Sequence, residues 1–331
     1  MSAERPRCAV VGAANIDIGG FPSGMMAMRD SNPGRVRMSA GGVGRNIACN
    51  LARMGVETHL VTALGGDTFA EVARADCRAA GVMLEHALTF PEAASSVYLY
   101  IADAEGDMQL AVNDMGICDR LTPEALEARV DFLNAMDVVV LDANLPEASL
   151  AFLAHRLRPP LIADAVSAAK ARKLLPALPG LRAIKPNALE AAALTGISVH
   201  DRESAGAAAR ALLDTGVQQV YITLGERGVC WADKGEIGFI PGSPIQMVNA
   251  TGAGDAFTAA LAWAELSGLD ARAAAMAGLA AASMAVESEA TVNPSMSELM
   301  LFRRIGDLGA RMLGIENAPS NSIQPGGESH E

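Results

Sequence analysis

The sequence predicts an α/β fold: a Rossmann-like, mainly parallel sheet with helices on both faces, plus a small β-sheet lid. Three observations predict it. From about position 120 onward, short apolar strands alternate with helical stretches of roughly 10–15 residues. Those strands are apolar throughout, as expected of strands covered on both faces. Two β-rich segments, about 15–40 and 88–118, stand apart from this rhythm, and they can pair into a small sheet over the mouth of the larger domain.

The elements follow in order. Residues 8–12 (Cys8-Ala9-Val10-Val11-Gly12) read as a buried strand, followed by a polar turn that carries Asn15 and Asp17. Residues 20–40 are rich in Gly, Pro and Met and show little helical period. A helix starts near Gly44, presents Ile47, Leu51 and Met54 on one face, and stops at Gly55. Residues 58–62 form a strand, and 69–80 a helix that ends at Gly81. Residues 94–102 and 108–113 form a hairpin across Glu105-Gly106-Asp107. Further strands are Val138–Asp142, Leu161–Asp164, Ala183–Lys185 and 220–223. A single domain of residues 1–314 is expected to precede a tail, 315–331, too polar to fold.

Half of the 331 residues are hydrophobic, enough for a sizeable core, and the net charge is −12. That charge argues against a nucleic-acid partner, which needs a basic face. No segment has the apolar core of a signal peptide or a run of about 20 apolar residues. A cytoplasmic protein with no membrane partner is the simplest reading. Cys8, Cys49, Cys77, Cys118 and Cys230 form no CxxC pair, and the five histidines form no HxxxH pair. Disulfide, zinc and histidine-led chemistries therefore lack support.

The most informative run is Asn249-Ala250-Thr251-Gly252-Ala253-Gly254-Asp255, after an apolar stretch with β tendency (245–248) and before a strong helix. Glycines at a helix start let backbone N–H groups converge on one point, where the helix dipole adds positive charge. This is an anion hole suited to phosphoryl transfer. A carboxylate there repels phosphate but can take a proton from an incoming hydroxyl. A plain tight turn with Asp255 as a first-turn acid fits the same run. The cluster Gly41-Gly42-Val43-Gly44-Arg45-Asn46 lacks the third glycine of a dinucleotide fingerprint and follows an irregular segment. Close backbone approach to a ligand, with Asn46 offering an amide, competes there with a capped turn.

Asn15 and Asp17 sit at the carboxyl end of the first strand, where ligands of open α/β sheets bind, and suit hydroxyl recognition. In Lys185-Pro186-Asn187-Ala188-Leu189-Glu190, Asn187 and Glu190 have the spacing of a capping box. They are equally suited to ordering a magnesium-bound water shell at nucleotide phosphates. Thr223-Leu224-Gly225-Glu226-Arg227-Gly228 is a glycine-marked turn able to pass under phosphates or a ribose. There is no GxxxxGK[ST] loop, no protein-kinase HRD or DFG set and no GxSxG elbow.

With these residues laid out, the chain resembles the ribokinase-like carbohydrate kinases, the phosphofructokinase-B family, over nearly all of residues 7–305. Gly41, Gly42 and Asn46 match the family's first pattern and 249–255 its second, more specific one. Segments 12–17, 30–34, 41–48, 113–115 and 164–167 with Lys170 resemble its pseudouridine-phosphorylating branch. The resemblance implies ATP as donor, magnesium, and a nucleoside acceptor phosphorylated at its 5′-hydroxyl. It implies Asp255 as base and the backbone of Gly252, Ala253 and Gly254 as anion hole. Asn15, Asp17, Gly41, Gly42 and Asn46 would hold the ribose, with Asn113 and Lys170 on the substrate's upper face. Asn187, Glu190, Thr223, Gly225 and Gly228 would line the ATP and magnesium side. A potassium-like cation would sit by Asn249, Thr251 and the loop 286–295. Relatives often carry Asp where Asn249 stands, so weaker cation binding is implied. A homodimer is compatible with all of this.

Overall fold

The first apolar run forms strand β1 (Arg7–Val11). Its side chains alternate between two cores: Cys8 and Val10 join one, Ala9 and Val11 the other. All four are fully buried. A strand covered on both faces shows no apolar–polar alternation, which explains the unbroken run. The computed structural model describes residues 5–103, 107–243, 247–249 and 251–312. The expected tail, 315–331, and the turn residues 105 and 106 lie outside them.

The remaining strands, in chain order, are β2 (Asn15–Pro22), β3 (Gly34–Gly41), β4 (Glu57–Val61), β5 (Ala63–Gly65), β6 (Leu88–Phe90), β7 (Val97–Ala102), β8 (Met108–Asp114), β9 (Val138–Asp142), β10 (Leu161–Asp164), β11 (Ala183–Lys185), β12 (Gln219–Thr223), β13 (Gly228–Asp233) and β14 (Ile237–Pro241). The main sheet has the order β14-β13-β12-β11-β10-β9-β1-β4. From β12 to β4 every pairing is parallel. β13 and β14 extend one edge antiparallel. The chain builds outward from β1 to β4, then returns to β9 and builds through β12 the other way. This reversal leaves a crevice at the carboxyl ends of β1 and β9, where such sheets bind ligands.

Helices cover both faces. Val43–Arg53, Thr68–Ala79, Ala253–Leu266, Ala271–Val286 and Glu298–Met312 contribute to one core; Glu147–Arg156 and Arg202–Leu213 contribute to the other. The helix Ala253–Leu266 is buried from Ala256 to Ala264, on all sides, so it is held rigidly against the sheet. Glu298–Met312 is amphipathic, with Leu301 and Leu308 buried, and escaped the sequence reading. No helix among the described residues is long and apolar enough to cross a membrane.

The lid is a separate four-stranded sheet, β3-β2-β7-β8. Its two halves are far apart in sequence and join through the parallel pair β2–β7, as the composition shift suggests. It is smaller than expected. β6 pairs instead with β5, and Gly116–Arg120 is a short 3₁₀ turn. The glycine cluster at 41–44 follows strand β3, not an irregular segment. β3 is exposed over most of its length, so it carries no apolar alternation to betray it. The β tendency expected at 245–248 yields no strand at Met247 and Val248; positions 245 and 246 lie outside the described residues.

Candidate active site

The helix Ala253–Leu266 begins at Gly252, whose φ of 87° lies in the left-handed region. A Cβ on Gly252 would lie 2.1 Å from the Thr291 carbonyl oxygen, and one on Gly254 would lie 2.9 Å from Lys185 Nζ. Glycine is therefore required at Gly252, by backbone and by neighbour, whereas at Gly254 an added Cβ would meet only the end of the Lys185 side chain. No side chain caps this helix start. Among the described residues its first N–H groups meet no capping side chain, so they can serve an external acceptor, with the dipole and Lys185 favouring an anion. The residues present thus fit a transferring phosphoryl group.

Asp255 stands in the first turn. Its Oδ2 accepts a hydrogen bond from Asn46 Nδ2 at 2.8 Å. Around it lies a buried polar group. Lys185 Nζ is 3.0 Å from Asp164 Oδ2, and both side chains are almost fully buried (6% and 2% exposed). Thr258, one turn beyond Asp255, donates to the same Asp164 oxygen at 2.6 Å. Asp164 Oδ1 accepts from the Val166 backbone N–H at 2.9 Å. Val166 itself has φ of 64°, a strained conformation for a β-branched residue. Burial, and then the charge of Asp164, push the Asp255 carboxyl up to about 7; Asn46 and Lys185 hold it from rising further. Burial opposes the charge on Lys185, yet Asp164, Glu190 and Asp255 outweigh it and raise its proton affinity. A carboxyl group that is half ionised near neutrality and fixed by a donor is suited to accept a proton.

The strand order explains how these groups meet. The parallel strands β12, β11, β10, β9 and β1 all end on one edge. They present there Thr223, Lys185, Asp164, Asp142 and the turn before Asn15, each strand about 4.8 Å from the next. The Asn187 and Thr223 motifs stand at one end and Asn15 with the Gly41–Gly44 cluster at the other. Asp255 approaches from the helix above the middle.

On the hydroxyl side, Asn15 Nδ2 donates to Asp17 Oδ1 at 2.6 Å. Burial pushes the Asp17 carboxyl up, opposed by Asn15 and Arg45. The Gly41–Gly44 glycines pack against the chain itself. A Cβ on Gly42 (φ 98°) would meet the Ala13 oxygen at 2.5 Å, and one on Gly41 the Asp17 carboxylate at 2.3 Å. Their small size is thus explained without a ligand. Asn113 lies exposed on β8, opposite Tyr98, which in turn pairs with Asp17 across β7 and β2. Lys170 Nζ donates to Asn144 Oδ1 at 2.5 Å, at the ends of β9 and β10.

On the other side, Asn187 and Glu190 form a complete capping box: Glu190 N–H donates to Asn187 Oδ1 at 2.9 Å, and Asn187 N–H to Glu190 Oε2 at 2.8 Å. Asn187 Nδ2 also donates to Glu190 Oε1 at 2.8 Å. Glu190 is buried, which raises its proton affinity against the opposing pull of Lys185. Each of its oxygens keeps a second lone pair, so a bound magnesium's water shell remains compatible. Asn187 bridges to Thr223, and Gly225 (φ 61°) and Gly228 (φ 109°) shape the turn beyond. Asn249 Nδ2 donates to the Glu289 carbonyl at 3.1 Å, and its Oδ1 accepts from Thr251 N–H at 2.9 Å. Asn249, Thr251 and the loop after Val286 therefore do come together, but with the Asn249 oxygen already engaged.

Sequence reasoning assigned no role to Lys185, Asp164, Asp142 or Arg45. Asp142, fully buried at the end of β9, accepts from the Ala13 N–H at 2.8 Å and the Asn144 N–H at 2.8 Å, so it ties the β1 turn across the crevice. Burial raises its proton affinity. The available signal for Asp142, Asp164 and Lys185 was a charged residue closing β9, β10 and β11, where a buried neighbour must pair it; Arg45, on a helix, gave no such signal.

Comparison with known proteins agrees with this fold. The model of the pfkB family carbohydrate kinases matches residues 5–298. The chain is 34% identical over 296 residues to a pseudouridine kinase of Escherichia coli, covering 89% of this chain and 95% of that one. It is also 34% identical over 298 residues to an uncharacterized sugar kinase, YeiI, of the same organism, covering 89% and 82%. Among solved structures, a carbohydrate kinase from Agrobacterium tumefaciens superposes with a TM-score of 0.82 at 32% identity, covering 91% of this chain and 97% of that one.

Proposed function

Because this chain belongs to the pfkB family of carbohydrate kinases, we propose that it transfers the γ-phosphoryl group of ATP to the 5′-hydroxyl of pseudouridine. The observation that carries the proposal is Asp255: a carboxyl group pushed up to about 7, held by Asn46 at the helix start that Lys185 approaches. The acceptor hydroxyl loses its proton to Asp255. Its oxygen forms a bond to the γ-phosphorus as the bond from that phosphorus to the bridging oxygen breaks, and ADP leaves. The N–H groups of Ala253 and Gly254, with Lys185, balance the charge spread over the phosphoryl oxygens. Asn15, Asp17, Gly41, Gly42 and Asn46 orient the ribose, and Asn113 and Lys170 face the base. Asn187, Glu190, Thr223, Gly225 and Gly228 line the ATP side. Glu190 would hold magnesium through water, and the ion, when bound, would neutralise part of the phosphate charge. Asn249, Thr251 and the loop after Val286 would hold potassium.

The outer face of the lid supports a homodimer. Met38, Ile18, Leu99 and Val112 form one row across it, and Val36, Gly20, Ile101 and Leu110 the next. Val36, Met38, Leu99, Leu110 and Val112 are exposed, a continuous apolar face of the kind that marks an interface. A cytoplasmic location is part of the proposal.

A sugar or another nucleoside as acceptor is the competing reading, favoured by the equal identity to a sugar kinase. The deciding experiment is phosphoryl transfer from ATP with magnesium, with and without potassium, over pseudouridine, uridine, inosine and ribose. Selective turnover of pseudouridine is expected. Uridine turned over equally well overturns the substrate, and no turnover of any of them overturns the kinase reading in favour of a silent nucleoside sensor.

A further inference from the structure

Arg45 is an expensive residue where it stands. It lies buried on the first turn of the helix Val43–Arg53, where the dipole disfavours a cation, and its Nε has no partner among the described residues. One arm, NH2, is paired with the Asp76 carboxylate of the neighbouring helix. The other, NH1, donates to Asn46 Oδ1 at 2.8 Å and to the Ala40 carbonyl at 3.3 Å. Asn46 Nδ2 in turn donates to Asp255 Oδ2 at 2.8 Å.

We infer that Arg45 is a positioning residue for the phosphoryl-transfer base: it locks the Asn46 amide so that its N–H, never its carbonyl, faces Asp255. The inference rests on the reading of Asp255 as base. Its logic is one of donors and acceptors. Arginine has only donors, so the Asn46 atom it touches must be the carbonyl oxygen. The opposite end of the amide, the N–H₂ group, is then left for Asp255. An N–H aimed at a carboxylate favours the ionised, proton-accepting form; a carbonyl in the same place favours the protonated, inert form. An amide with no lock rotates between the two. Asp76 completes the relay by holding the guanidinium.

The other groups facing Asp255 are Asp164, Lys185 and Asp142. None of them touches Asn46 in the way Arg45 does. Around Arg45 stand Asp76, Cys49 and Cys77, and it also acts on Asp17 and Cys49, where Arg53 acts as well. Some change in acceptor KM through Asp17 therefore accompanies its loss.

The test uses Arg45→Met, Arg45→Lys, Asn46→Ala and the double variant, each followed by kcat, KM and the pH profile of kcat/KM on the acceptor the substrate panel identifies. Arg45→Met is expected to lower kcat about tenfold and to move the acidic limb up by about one pH unit, with KM for ATP unchanged. Arg45→Lys, which keeps one donor, falls between. In the Asn46→Ala background, Arg45→Met changes neither kcat nor the limb further. An unshifted limb in Arg45→Met, or a full additional loss in the Asn46→Ala background, overturns the inference. Should Arg45→Met fail to melt cooperatively, Arg45→Lys decides: a wild-type limb refutes the lock. Asp255→Asn separates the two readings. If it retains turnover, the base assignment fails. If it is inactive while the Arg45 profiles stay normal, only the lock fails.

Discussion

The rate of phosphoryl transfer is expected to depend on pH in a window where ordinary carboxylates are silent. Asp255 is raised from the usual 3.8 to about 7, chiefly by burial and by Asp164. About a tenth of the enzyme then holds the carboxylate at pH 6 and about nine tenths at pH 8, so kcat/KM rises roughly tenfold across that interval. A carboxyl group at 3.8 would be ionised throughout and the profile flat. Asp255→Asn removes the base and is expected to lower kcat at least ~100-fold. The same shift has a consequence for stability. The folded chain binds this proton more tightly than the unfolded chain, so the ionised form is disfavoured in the fold. The penalty is absent below about pH 3.8, grows as pH rises through about 7, and is full above it. Its upper bound is about 4 kcal/mol, and roughly half is expected at a site open to solvent on one side. Asp255→Asn should therefore melt a few degrees higher than the wild type at pH 8 and show no gain at pH 4. Stopped assays over pH 5.5–9 and calorimetric melts at both pH values check these outcomes. A flat profile between pH 6 and 8, or near-normal turnover by Asp255→Asn, would refute the assignment.

Three further outcomes follow from other parts of the structure. Gly252→Ala forces a side chain onto the Thr291 carbonyl in a left-handed backbone, so a loss of about 1–3 kcal/mol in chemical denaturation and strongly reduced kcat are expected. Lys185→Met leaves Asp164 buried without its cation, at a cost of about 3–5 kcal/mol, and moves the Asp255 limb to higher pH because a compensating charge is gone; denaturation curves and the pH–rate profile read both. Val112→Glu places a charge on the lid's apolar outer face; if that face pairs two copies as proposed, sedimentation should show a lower mass for the variant than for the wild type, with the unfolding free energy of the single chain preserved within about 0.5 kcal/mol.

How legible this site was depends on what holds each residue. The glycine at 252, the capping box of Asn187 and Glu190, and the acid at 255 were visible in sequence because local helix-start demands shape them. Position 252 needs positive φ, and Asn187 caps the helix it begins. The strands of the main sheet were visible for a similar reason, since two-sided burial leaves an unbroken apolar run. β3 was hidden because most of it faces solvent. Arg45 was hidden because its meaning lies in partners: Asp76, 31 residues away, and Asp255, reached through an amide 209 residues from it. Lys185, Asp164 and Asp142 were half legible. Each ends an apolar strand, and a charge in that position must find a partner, but which partner depends on strand order. The order β11-β10-β9-β1 sets Lys185 beside Asp164, and Asp142 beside the turn at Ala13. Reordering the same strands would leave every motif intact in sequence and dissolve the site. The chemistry of Asp255 is thus specified twice: locally by the glycines that start its helix, and globally by a topology that brings two carboxylates and one ammonium group close enough to set its proton affinity near neutrality.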